Sequence, residues 1–130
     1  MSNVNSNIIE KIEHVIIQLS NEAVSFYGVL PMPTPFAPQT GKAIYEAFLV
    51  AQTQTSLMPI YDGGGVMIWS YKANMAYRFV HDIDHAVHYL SGQGTTAIHH
   101  ERFLNCLMAK RIYQRLLASH NEALALEAFM

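Results

Sequence analysis

The stretch His81-Asp82-Ile83-Asp84-His85-Ala86-Val87-His88 packs three of the chain's seven histidines and two of its three aspartates into eight residues. Imidazole nitrogen and carboxylate oxygen together suit zinc, iron or manganese. In a helix, at about 100° per residue, His81, His85 and His88 fall at i, i+4 and i+7 on one face, with Asp84 beside them. Two histidines one turn apart can share an ion, so a metal site is the leading chemical expectation. In such a site His81 and His85 bind the ion, while Asp82 or Asp84 ligates it or orients an imidazole from behind. A further ligand has to come from another element. His99, His100 and Glu101 open the next helical stretch, so Glu101 or His100 closes the site or serves as a general base toward bound water. The expected ligands are therefore His81, Asp82, His85, His88 and Glu101, with Glu101 also the candidate base. The expected cofactor is a divalent transition metal: zinc, iron or manganese.

The rest of the same helix sharpens where that site must lie. Phe79, Ile83, Val87 and Leu90 fall about 160 to 240° from His81, whereas Asn74, Tyr77, Asp84, His85 and His88 gather near it. A plain solvated face is built from Lys, Glu and Gln, which are strong helix formers. Histidine, aspartate and asparagine are poor ones, and their concentration here calls for a reason. Because the histidines point away from the apolar stripe, the site is expected between this helix and another element.

Arg78-Phe79-Val80-His81-Asp82-x-x-His85, followed by a Gly-containing turn and Glu101 at the head of a helix, resembles a group of small phage and prophage proteins of undefined function. The match covers roughly residues 75 to 115 and implies a helical protein from a mobile element. His81, Asp82, His85 and Glu101 are also similar to the His-Asp-x-x-His…Glu set of ubiquinone-biosynthesis proteins, a zinc-binding helical family acting near a lipid-like quinone. Leu90-Ser91-Gly92 matches there too, although Glu101 follows His85 at a longer spacing than that family uses. The His81-Asp82 doublet is similar to that of metal-dependent phosphohydrolases only locally, because no aspartate follows Asp84.

The elements that position these residues read as helices. Asn5 and Ser6 can cap a first helix in which Ile8, Ile9, Ile12, Val15, Ile16 and Leu19 recur at helical spacing, ending by Gly28. Four prolines between Pro31 and Pro38 predict a surface loop. Thr40 caps a second helix with Ile44, Phe48 and Ala51 inward, closed by the polar run Gln52 to Ser56. Pro59 to Gly65 reads as a Gly-rich loop that lacks the Gly-Lys-Ser/Thr of a phosphate loop. Val66 to Trp69 fits a short strand or a helical lead-in equally well. Ser70 opens the histidine helix, which runs to about Leu90. Thr95 or Thr96 caps the next helix, to about Ala118, and Glu122 to Phe129 can form a short terminal one. The expected architecture is all-α: one domain over residues 1–130, a bundle of four or five helices with a Pro-rich and a Gly-rich loop.

Composition narrows the function classes. At 51% hydrophobic and 14% charged residues the chain is more apolar than most soluble domains, which favours a homo-oligomer or a protein partner covering part of its surface. A net charge of −2 argues against general nucleic-acid binding. Lys110, Arg111 and Arg115 read as a solvated basic stripe. Cys106, the single cysteine, reads as a buried structural thiol, and nothing points to an oxidising compartment. No signal peptide or membrane span is expected, so the location is taken as cytoplasmic, the host's if phage-encoded. The functional expectation is a small soluble metal-binding helical protein working as a metal-dependent hydrolase. The alternative is a non-catalytic phage or prophage interaction module.

Overall fold

The computed structural model describes residues 3–64, 69–91 and 97–119. Four helices dominate: α1 (Asn3–Tyr27), α2 (Gly41–Val50), α3 (Tyr71–His88) and α4 (Ala97–Ser119). Helix α1 runs unbroken to Tyr27, where Gly28 takes φ +71 and its N–H is donated to the Val24 carbonyl at 3.0 Å. Left-handed backbone of this kind favours glycine, so the stop is written into residue 28.

The expectation of an all-α fold needs correction. Leu30–Thr34 (β1) and Leu57–Tyr61 (β2) pair as a two-stranded parallel sheet, in register Leu30↔Leu57 through Thr34↔Tyr61, with α2 as the connection. Prolines misled the reading, because in a two-stranded sheet each strand has a free edge where the missing N–H is not needed. The Leu30 N–H is donated to the Ser56 carbonyl and the Asp62 N–H to the Thr34 carbonyl, so residues 30, 32 and 34 face β2. Alternation then turns Pro31 and Pro33 outward on β1, and Pro59 outward on β2.

Helix α2 starts as its sequence dictates, with the Thr40 side chain accepting from the Ala43 N–H at 3.3 Å and Ile44 and Phe48 buried. Its polar end does not stop it. Ala51–Thr55 continues as a π-helical turn, with the Ser56 N–H donated to the Ala51 carbonyl, and ends where Ser56 reaches φ 60. Thr53 supports the turn by donating its hydroxyl to the Leu49 carbonyl at 2.7 Å. Side chains that can return a bond to the backbone let a polar segment stay helical.

Helix α3 is the spine. Ser70 caps it by accepting from the Ala73 N–H, and the Ser70 N–H is donated to Glu13 on α1. Met75, Phe79, Ile83 and Ala86 pack with Val29, Ile44, Phe48, Met58 and Ile60 in a core against α2 and the sheet. Ala76 and Val80 pack with Val15, Ile16, Leu19, Met108, Ile112 and Leu116 in a second core against α1 and α4. Burying a side chain such as Phe79 contributes about 1.5–3 kcal/mol, so α3 is clamped from two sides. Val87 and Leu90, expected in the apolar stripe, are instead exposed, since they lie past the reach of either core.

Other expectations change as well. Arg111 and Arg115 are not a solvated stripe: they pair with Asp84 on α3 and Glu22 on α1. Cys106 is exposed, because α4 turns Leu104 and Met108 inward instead. Residues 66–68, the turn at 92–94, the caps at 95 and 96 and the terminal segment 122–129 lie outside the described residues. Among the described residues no helix is long and apolar enough to cross a membrane.

Candidate metal centre

With both flanks of α3 committed to cores, the strip carrying His81 and His85 is left facing the start of α4. Glu101, in that first part of α4, reaches back to both rings. His81 Nε2 lies 3.0 Å from Glu101 Oε2, and His85 Nε2 lies 2.5 Å from Glu101 Oε1. One nitrogen from each histidine and one carboxylate oxygen all lie within 4.8 Å of one another. Neighbouring ligands on a tetrahedral ion with bonds of about 2.0–2.1 Å sit about 3.3 Å apart, so small side-chain adjustments accommodate an ion.

The ring planes are held. His81 stands edge-on to His85, with centroids 4.8 Å apart. His100 stacks on the other side of His85 at 5.2 Å, and Tyr77 stacks on His81 at 6.0 Å. The Tyr77 hydroxyl donates to Asn105 Oδ1 at 3.0 Å, a second tie between α3 and α4 one helical turn from the first. His81 Nδ1 and His100 Nε2 are buried and have no hydrogen-bond partner among the described residues. Such an orphan costs about 1–3 kcal/mol and marks a place where polar groups were packed for something other than stability.

Protonation favours ligation. Burial lowers the pKa of His85, the positive field of His81 lowers it further, and Glu101 only partly opposes them. Burial pushes Glu101 up, but the charges and hydrogen bonds of His81 and His85 outweigh it, and its pKa ends below the ordinary value. A neutral imidazole and an ionised carboxylate are the forms a metal needs.

Pro38, Gln39, Ile44, Tyr61, Arg78 and Asp82 join His81, His85 and Glu101 around a cavity of about 200 Å³. Asp82 lines it without entering the three-residue group. Desolvation raises Asp82 to about 7, against the opposing pull of Arg78 and with added repulsion from Glu101. His88 is turned elsewhere, its ring edge-on to Phe103 at 5.3 Å. Asp84, placed beside the histidines by the helical wheel, is buried against Arg111 of α4 and does not join the three-residue group, although its charge reaches His85. His14 is exposed and remote, and His120 lies outside the described residues.

Sequence reasoning missed Tyr61 and gave Arg78 no role in the site. Arg78 was legible in principle, since it lies three and four residues before His81 and Asp82 and so shares their side of the helix. Tyr61 arrives from a strand that the prolines disguised.

Comparison of the chain with protein-family models, with curated proteins and with solved structures finds no match. The likenesses to phage proteins and to ubiquinone-biosynthesis proteins therefore rest on their motif residues alone.

Proposed function

We propose that the protein binds one divalent transition ion through His81, His85 and Glu101 and uses it in hydrolytic chemistry. The observation that carries this reading is the convergence of two imidazole nitrogens and one carboxylate on a common point beside a cavity. Three protein ligands with an open fourth position is the pattern of working zinc sites, whereas structural sites are closed by four. Two histidines and one carboxylate also suit iron or manganese. An ion held there would supply Lewis acidity and a lowered pKa for water, and the cavity would admit the substrate. Metal analysis of protein purified without a histidine tag tests it. One equivalent of transition metal is expected, with loss in the His81→Ala/His85→Ala double variant. No stoichiometric metal, or unchanged content in the variant, rejects the proposal.

A second reading, an interaction module without catalysis, is favoured by a separate observation. Leu30, Met32, Val50 and Leu57 are each about two-fifths to one-half exposed, and Met32, Val50 and Leu57 line an apolar groove with Ala43, Ala47 and Pro59. Large exposed apolar patches mark association sites. We take a second copy of the chain as the occupant. Sedimentation should show a dimer that Val50→Glu/Leu57→Glu dissociates, and a wild-type monomer at every concentration would remove the second copy as occupant.

A further inference from the structure

We infer that the cavity beside the three-residue centre takes a small oxyanion, a phosphate or carboxylate group, and that Arg78 reads it. The inference rests on the proposed metal centre and names the substrate class of that site.

Arg78 reaches the cavity from α3, one turn before His81 and Asp82. Its Nη1–H is donated to the Tyr61 carbonyl at 2.7 Å, and its guanidinium carbon lies 5.5 Å from the centre of the Tyr61 ring. That carbonyl is on the outward side of β2, so the sheet edge holds the arginine without supplying countercharge. Among the described residues the ion pairs join His81 and His85 to Glu101, Arg111 to Asp84 and Arg115 to Glu22. Arg78 is in none of them: its field reaches Asp82 four residues on, but the base-before-acid order is the weaker one in a helix and the two make no direct ion pair. A guanidinium has five N–H donors in a planar fork suited to carboxylate and phosphate. Only one is engaged here among the described residues.

The glycines that failed as a phosphate loop find their use in this corner. A Cβ at Gly63 would fall 2.5 Å from the Tyr61 hydroxyl, and one at Gly64, whose φ is +68, would meet Arg78 Nη2 at 3.4 Å. The bare backbone can therefore run close past Tyr61 and Arg78, where a side chain at residue 63 would collide with the Tyr61 ring.

Size and charge restrict the guest. About 200 Å³ is below the about 300–1,000 Å³ of pockets that swallow a drug-sized ligand, so the cavity accepts a small molecule or the end of a larger one. Asp82 and Glu101 line the same cavity and repel an anion until a cation is bound between the histidines. Arg78 and the ion then form a positive pair facing one space, which selects for an oxyanion.

The test uses full-length protein loaded with cobalt(II), whose visible spectrum reports its ligands, titrated separately with inorganic phosphate and with acetate. At least one anion should change the spectrum saturably, and which one does so separates a phosphate from a carboxylate guest. Cobalt-free protein should retain neither. Arg78→Lys should weaken binding about 10-fold and Arg78→Gln about 100-fold, with cobalt stoichiometry unchanged. If Arg78→Gln fails to fold by circular dichroism, Arg78→Lys decides. Cobalt uptake without any anion response, or variants that titrate like wild type, overturns the oxyanion site alone. Failure to take up cobalt overturns the metal centre and the oxyanion site with it.

Discussion

Arg111 donates to the carboxylate of Asp84 at 2.6 Å, joining α4 to α3 through a group that is only 5% exposed. Removing Asp84 leaves the Arg111 guanidinium without its partner, but that side chain is 33% exposed and water takes up part of the loss. Asp84→Ala should therefore cost about 1.5 kcal/mol, read as a shift in the urea midpoint. Because Asp84 is not one of the three converging ligands, metal content should not change. A variant as stable as wild type would show that the pair contributes nothing net.

Metal should act as a ligand of the folded state. At a free concentration about 100 times its dissociation constant, an ion adds about 2.7 kcal/mol, so the melting temperature of apo wild type should rise when zinc is added. The double variant His81→Ala/His85→Ala should show no rise. Equal shifts in the two proteins would place binding elsewhere.

Acidity should pull on the metal-free protein in two directions. His85 has a folded pKa below its unfolded value, so its contribution is present above about pH 6.5 and is lost as pH falls. Glu101, also lowered, loses its contribution further down, below its ordinary carboxylate range. Asp82 has the opposite sign. Raised to about 7, it contributes below its unfolded pKa of about 3.9, and that contribution disappears as pH climbs toward 7. Asp82→Asn should consequently gain stability relative to wild type between about pH 4 and 7 and hold that gain above. A pH-independent difference in melting temperature would contradict the assignment.

Gly28→Ala isolates backbone strain. No atom lies within 4 Å of where the new Cβ would sit, yet φ is +71. The substitution should cost about 1 kcal/mol, and Gly28→Asn less. Loss of several kcal/mol would mean that α1 and β1 meet there more tightly than the geometry indicates.

Much of this was legible in the chain. Thr40 and Ser70 announce their helices, Gly28 ends its own, and His81, His85 and Glu101 meet as their types and spacing proposed. What was hidden depended on partners distant in sequence. The wheel of α3 could not tell which of its polar residues would find a buried cation, so Asp84 was grouped with the histidines instead of with Arg111. Nor could it show where the two cores stop along α3, and Val87 and Leu90, which continue the apolar period, lie beyond both. The sheet escaped notice because a parallel pair is decided by contacts across α2, whereas prolines speak only of their own residue.

The outward prolines of the sheet have one more effect. A third strand laid along β1 would seek N–H groups at positions 31 and 33 and find pyrrolidine rings at both, and Pro59 withholds another on β2. Strand addition, the commonest way an exposed sheet edge recruits neighbours, is thereby disabled beside an apolar surface that would otherwise invite fibrous stacking. Any contact made on this side is therefore left to side chains such as Val50 and Leu57, which stand exposed beside the sheet.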